Sequence, residues 1–283
     1  MTAPMTVQEA LAKAIERLTK SQVPSPARDA RILMAHALGV DAARITLMAH
    51  DPISPDALSS FEYLIRERRD HVPISHLVGG RDFYGRRFKV TSDVLDPRPE
   101  TETLIEIALQ QPFSEVLDLG TGSGCILITL LAERPDAVGI ASDAAPEALD
   151  IARENAARLG VDGRCDFMQS DWFQWIGGTY DLILSNPPYI ARDEMASLSR
   201  DVLDHEPHMA LTDHADGLTA YREIAAGVAP HLTPGGRLLL EIGPTQAQAV
   251  TDLLAAAGLI RMTTHADLDG RDRVISAYSS DLS

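Results

Sequence analysis

Apolar positions recur at helical spacing up to about residue 70, and from residue 115 onward they come in short runs separated by helical stretches. Val7, Ala10, Leu11, Ala14, Ile15 and Leu18 predict a first helix, which Pro24-Ser25-Pro26 breaks. Ala27 to Leu38 predicts a second, with Ile32, Leu33, Ala35 and Leu38 apolar and Gly39 ending it. Ser54-Pro55 opens a third through Leu58, Phe61, Leu64 and Ile65. Its charged end, Arg66-Glu67-Arg68-Arg69-Asp70, reads as a solvated terminus. Residues 83–96 predict a hairpin turning near Gly85. Beyond it, strands are expected at 115–119, 138–142, 164–169, 180–185, 236–242, 258–265 and 273–279, with helices near 100–110, 123–133, 146–159, 217–230 and 245–257. Leu232-Thr233-Pro234-Gly235-Gly236 reads as the turn into the fifth of these strands. Such alternation requires a mostly parallel sheet, and ligands bind such sheets at the carboxyl ends of the strands. Gly120, Asp143, Asp171 and Asn186 all fall at such ends.

Two of these ends carry chemistry. After the apolar run Tyr180–Leu184 comes Ser185-Asn186-Pro187-Pro188-Tyr189. Asn186 offers a side-chain carbonyl and Pro187 a backbone carbonyl with no competing N–H. Consecutive prolines hold these acceptors extended and stiff, and Tyr189 adds a flat aromatic face. Such a site can grip a planar –NH2 group, taking both hydrogens and aiming the nitrogen lone pair at an electrophile. An ordinary proline-rich turn would read the same way, so the motif alone decides little.

The second is Gly120-Thr121-Gly122-Ser123-Gly124, which follows the strand Glu115–Leu119 and opens an apolar helix. The glycines permit a tight turn and a close approach of ligand to backbone. The spacing is neither that of a dinucleotide fingerprint nor that of a P-loop. Asp118, ahead of the glycines, would repel a diphosphate and suits an ammonium group. The next strand ends in Asp143, where an acid can hydrogen-bond ribose hydroxyls.

Together these residues resemble the class I S-adenosylmethionine-dependent methyltransferases that act on –NH2 nitrogens. Pro97-Arg98-Pro99-Glu100-Thr101-Glu102, Phe83-Tyr84-Gly85, Phe88-Lys89-Val90, Ser170-Asp171-Trp172-Phe173, Glu206-Pro207, Ala210-Leu211, Pro234-Gly235-Gly236, Glu241-Ile242-Gly243 and Asp267-Leu268-Asp269-Gly270 extend the match in order. The pattern is similar to the peptide chain release factor glutamine methyltransferases over roughly residues 70–275; Asp213-His214 departs where some relatives carry glycines. The resemblance implies an α/β fold with a Rossmann-like class I methyltransferase sheet, mostly parallel with an antiparallel last strand, plus a small N-terminal all-helical domain. The expected division is a substrate-recognition domain at 1–75, a linker with the hairpin at 76–97 and the methyltransferase domain at 98–283. S-adenosyl-L-methionine is then expected across Gly120, Thr121, Gly122, Ser123 and Gly124, with ribose on Asp143, adenine near Trp172 and Asn186 adjacent. The substrate amide is expected between Asn186, Pro187, Pro188 and Tyr189, with Asn186, Pro187 and Tyr189 as the catalytic set. Arg98, Glu100 and Thr101 either line the floor of the site or brace the hairpin. Phe83 and Tyr84 read as an apolar wall or ordinary core.

Charge narrows the partners. Residues 1–90 hold 13 Lys and Arg against 10 Asp and Glu, while residues 91–283 hold 12 against 31. An acidic catalytic half repels phosphate backbones, which counts against direct nucleic-acid binding, and the resemblance implies peptide chain release factors as the partner. Cys125 and Cys165 form no metal or disulfide pattern. His205-Glu206-Pro207-His208 is a poor ligand pair, so no metal is expected, and the segment reads instead as a loop closing over substrate. No 18-residue apolar run predicts a membrane span, and Met1-Thr2-Ala3-Pro4 leads into Lys13, Glu16 and Arg17 without an apolar leader core. A cytoplasmic monomer is expected. An adenine or cytosine amino-methyltransferase is the alternative enzyme, and a non-catalytic binding module the alternative outside enzymes.

Overall fold

The computed structural model describes residues 4–280. Contacts divide the chain into two compact units, Met1–Gly80 with Ser199–His205, and Arg81–Leu198 with Glu206–Ser283.

The first unit is helical: α1 (Val7–Lys20), α2 (Pro26–Leu38), α3 (Pro55–Arg69) and the single turn α4 (Ile74–Leu77). Its helices start and stop where local chemistry allows. Thr6 and Glu9 form a reciprocal capping box at α1, satisfying two backbone N–H groups that the helix itself cannot. Ser54 caps α3, and α2 ends on Gly39 in the left-handed conformation. Val7, Ala10, Ala14 and Leu18 form the buried stripe of α1 and join Leu33, Met34, Phe61 and Ile65 in one core.

The second unit begins with β1 (Arg81–Phe83) and β2 (Arg86–Phe88), an antiparallel hairpin shorter than the sequence suggested. Tyr84 and Gly85 both have positive φ, as a two-residue hairpin turn requires. Then follow α5 (Glu102–Leu109), β3 (Glu115–Leu119), α6 (Cys125–Glu133), β4 (Val138–Asp143), α7 (Pro146–Leu159), β5 (Cys165–Gln169) and β6 (Tyr180–Ser185). The short α8 (Arg200–Leu203) lies in the segment that belongs to the helical unit. The chain continues through α9 (Thr219–Val228), β7 (Leu232–Glu241), α10 (Ala247–Ala256), β8 (Ile260–Ala266) and β9 (Asp272–Tyr278).

The seven strands are ordered β5-β4-β3-β6-β7-β9-β8. The first five run parallel, and the last strand, β9, is antiparallel to both neighbours. Helix α6 is buried from Cys125 to Leu131 on every side, which explains why its sequence has no polar face. One expectation changes. Leu232–Gly236 is not a turn ahead of the strand but its first half, because Tyr180 pairs with Leu232 and the ladder resumes only at Leu182 with Arg237. Asp181 alone thus faces Thr233–Gly236, and a local irregularity absorbs the proline and glycines that suggested a turn.

Among the described residues no helix is long and apolar enough to cross a membrane. The most buried charges of the helical unit form one cluster. Arg68, 3% exposed, donates to Asp29 at 2.8 Å, to Asp201 at 2.7 Å and to the Val72 carbonyl at 3.0 Å. His71 places Nδ1 3.0 Å from Asp201 and Nε2 3.1 Å from the Ser21 carbonyl.

Candidate functional site

Strand β3 pairs with β4 on one side and β6 on the other, so their carboxyl ends bring Gly120, Asp143 and Asn186 to one edge of the sheet. A cavity of about 210 Å³ opens there. Its walls include Gly120–Ser123, Asp143, Trp172, Asn186 and Pro188, with Pro97, Arg98 and Thr101 from the segment before α5 and Pro207, Met209 and Ala210 from the loop before α9.

The glycine loop is held from beneath. Asp118 is fully buried and accepts the Thr121 hydroxyl at 2.7 Å and, weakly, the Leu127 N–H at 3.4 Å. It does not line the cavity; its Oδ2 braces the loop, while Oδ1 is buried with no hydrogen-bond partner among the described residues. Burial pushes its carboxyl up to about 7, against the pull of Thr121 and Leu127. An acid held above its unfolded value of 3.8 stabilises the fold fully below that pH and loses this contribution as pH rises through about 7. Glu241 acts with the same sign, its carboxyl also raised to about 7 by burial. Asp118→Asn should therefore remove part of the fall in urea midpoint between about pH 4 and 7, leaving the share of Glu241. An unchanged slope would assign that fall elsewhere.

Gly124 does not line the cavity. It starts α6 at φ +79°, and a Cβ there would stand 2.6 Å from Ile128 Cδ1 and 3.1 Å from Ala152 Cβ. Added Cβ atoms at Gly120 and Gly122 would instead meet open space, so these two present bare backbone to the cavity. The loop spends much of its own hydrogen-bonding capacity on the protein. Its N–H groups at Thr121, Gly122 and Gly124 are already bonded, to the Ser142 carbonyl, the Asp143 carboxylate and the Thr121 carbonyl.

Asp143 accepts from Gly122 N at 2.9 Å on one oxygen and from Ala145 N at 3.0 Å on the other, so both oxygens are oriented. Burial raises its carboxyl, and these N–H groups pull it back. Each oxygen keeps a lone pair for a ligand hydroxyl. Trp172 lines the same cavity with φ +47°, a conformation a bulky side chain rarely adopts. The Ser170 hydroxyl holds that turn, donating to the Trp172 carbonyl at 2.8 Å and accepting from Trp175 N at 3.1 Å.

The other wall carries Asn186. Its Nδ2 donates to Thr101 Oγ1 at 3.3 Å, which turns Oδ1 away from Thr101. Pro188 lines the cavity; Pro187 is buried and does not, and neither does Tyr189. The Tyr189 ring packs on the core of the β7 side, and its hydroxyl points to Glu241 Oε1 at 3.4 Å. Burial, then Glu241, raises its phenol. Arg98 lines the cavity with its charge compensated, one nitrogen donating to both oxygens of the buried Glu206 at 2.7 and 2.8 Å. Arg81 pairs with Asp96 close by. Phe83 belongs to the core, edge-on to Phe88, while the Tyr84 N–H donates to Glu102. Carboxylates of Asp93, Asp143 and Asp171 remain on the cavity wall, which therefore favours a ligand of net positive charge.

Glu241 is the polar group that sequence reasoning assigned no role. An acid ending the apolar run Leu238–Leu240 was the available signal. Arg98–Glu206 had no such signal, since it joins positions 108 residues apart. At the departure Asp213-His214, His214 takes φ +57°, and Asp213 accepts from Ala215, Gly217 and Thr219 N–H groups, so the loop closes without a glycine at 214.

Residues 9–79 match the family described as PrmC N-terminal domain, and residues 93–209 match the methyltransferase small domain. The release factor glutamine methyltransferase of Cereibacter sphaeroides is 56% identical over 96% of this chain and 98% of its own. That of Burkholderia pseudomallei is 43% identical over 95% and 96%, and that of Caulobacter vibrioides 38% over 98% of each. Among solved structures, a methyltransferase from Pyrococcus furiosus superposes with TM-score 0.56 at 14% identity, covering 76% of this chain and 98% of its own. The human Mettl16 catalytic domain gives 0.57 at 14%, covering 78% and 82%. These two likenesses concern the fold alone.

Proposed function

Because this chain belongs to the family of release factor glutamine methyltransferases, we propose that it methylates the side-chain amide of the glutamine in the Gly-Gly-Gln motif of peptide chain release factors. S-adenosyl-L-methionine, when bound, supplies an electrophilic methyl group on a sulfonium. The observation that carries the reading is that one acidic cavity holds the bare glycine backbone, Asp143, Trp172 and Asn186 together. Its net charge suits a cationic donor, and three N–H groups of its glycine loop, at Thr121, Gly122 and Gly124, are already bonded within the protein.

In this reading Asp143 takes the ribose hydroxyls, Trp172 offers its face to the adenine, and Gly120–Ser123 let the donor lie against the backbone. Asn186 Oδ1 accepts one N–H bond of the substrate amide from the cavity wall, and the Pro187 carbonyl, next in the chain but off that wall, would accept the other. Their work is orientation: they hold a weak nucleophile with its lone pair toward the electrophile, and the alkylated nitrogen then sheds a proton to water without a strong base. Tyr189 supports this run from behind through packing and Glu241. The helical unit supplies no lining residue and docks the protein substrate, and the enzyme acts as a cytoplasmic monomer.

Asp143→Ala should weaken donor binding by about 1.5–3 kcal/mol, the worth of hydrogen bonds to a charged group. Calorimetric titration measures it, and unaltered affinity would remove Asp143 from this role. For the whole reading, the chain is incubated with labelled donor and, separately, purified release factors and DNA. Label on the release-factor glutamine is expected. Label on DNA alone would establish the amino-methyltransferase of nucleic acid instead.

A further inference from the structure

The run Asn186–Tyr189 has an unusual mechanical problem. The sheet ladder stops at Ser185, which pairs with Leu119 and Leu240. Pro187 and Pro188 have no N–H with which to tie the run to anything further. The chain must nevertheless hold two carbonyl acceptors in fixed directions.

The far end of the run is pinned by a side chain outside the cavity. Gln246, just before α10, donates from Nε2 to the Tyr189 carbonyl at 2.9 Å and to the Gly217 carbonyl at 3.2 Å. Its Oε1 accepts from Gly243 N at 3.0 Å. The orientation of the amide is unambiguous, since two carbonyls face one end and an N–H faces the other. The Ile190 N–H, one residue on, completes the anchorage on the Leu211 carbonyl at 3.0 Å.

The surroundings leave room for this amide and little else. A Cβ at Gly217 would stand 2.4 Å from the Tyr189 carbonyl oxygen and 3.0 Å from Gln246 Nε2. One at Gly243 would stand 2.9 Å from Gln246 Oε1 and 3.4 Å from Tyr189 Cδ2. Two glycines on two separate loops thus make the space into which one primary amide fits. None of Gln246, Gly217 and Gly243 lines the cavity.

We infer that Gln246 is the positioning residue of the substrate grip: by clamping the Tyr189 carbonyl it sets the path of Pro187–Tyr189, and with it the directions of the acceptors at Asn186 and Pro187. The inference rests on reading that run as the holder of the substrate amide. A displacement of about 1 Å at such acceptors is enough to cost about 10²-fold in rate.

The test uses the full chain and the variants Gln246→Ala and Gln246→Glu, with turnover on a release factor, donor affinity by calorimetry and melting temperature measured for each. Gln246→Ala should lower turnover about 10- to 100-fold, with donor affinity within about twofold of the parent. Gln246→Glu has the same shape but turns an ionised oxygen toward two carbonyls. It can donate only when protonated, so its turnover relative to the parent should rise as pH falls from about 8 to 6, while the ratio for Gln246→Ala stays flat. Parental turnover in Gln246→Ala, a flat ratio in Gln246→Glu, or losses that merely follow the fraction unfolded would each overturn the positioning role. A parent chain that leaves the release-factor glutamine unmodified would overturn the substrate reading instead, and the two failures are told apart by that control.

Discussion

Asn186→Ala should lower single-turnover methylation of a release factor by on the order of 10²-fold or more, with donor affinity changing far less. The expectation follows from where the amide stands. Nδ2 is tied to Thr101 at 3.3 Å, so the oxygen is the free end, and Asn186 lines the same cavity as the glycine loop. Alanine removes the acceptor proposed to orient a poor nucleophile, and no other side chain of this run carries a carbonyl. Asn186→Asp separates orientation from charge. A carboxylate still accepts N–H bonds, but it costs more to desolvate and repels the remaining carboxylates of the wall. Part of the rate should survive in that variant. If Asn186→Ala methylates at nearly the parental rate, the grip on the substrate amide lies elsewhere.

The largest effect on stability is expected at Arg68. Its guanidinium serves Asp29, Asp201 and the Val72 carbonyl at once and is 3% exposed. Arg68→Ala leaves two carboxylates without their cation, an imbalance that costs about 3–5 kcal/mol when the charges are buried. Asp201 is about one-fifth exposed and can recover some hydration, which places the expected loss at the lower end of that range. Arg68→Lys keeps the charge but cannot reproduce a three-way fork, and should fall between. Urea unfolding measures both; a loss below about 1 kcal/mol for Arg68→Ala would mean that water replaces the guanidinium. The same cluster bears on truncation. Residues 199–205 belong to the helical unit, so removal of the N-terminal residues strips Asp201 of Arg68 and His71 as well as removing the surface proposed to dock the substrate.

Most elements could be read from the chain because their causes are local. The buried stripe of α1, the proline and glycine punctuation around α2, and the apolar runs of β3 and β6 act over a few residues, and the strands fell within about two residues of their expected bounds. The exception, Leu232–Gly236, has the composition of a turn, and only pairing with Tyr180 draws it into β7. The site was legible for a related reason. Gly120–Gly124, Asp143 and Asn186 each end a strand, and parallel strands bring their carboxyl ends to one edge whatever lies between them.

Tertiary structure decided what each of these groups does there. Asp118 stands just ahead of the glycine motif and Gly124 ends it, yet burial turns one into a brace and close packing against Ala152 turns the other into a helix start. Tyr189 follows the two prolines directly, but its ring goes to the core and its hydroxyl to Glu241. Arg98 meets Glu206 across 108 residues, and Gln246 meets Tyr189 across 57. Spacing along a chain carries the period of a helix or strand, and so it reveals which residues share a face or an end. It carries no distance between loops that only the folded sheet brings together, and those distances set where the acceptors of Asn186 and Pro187 stand.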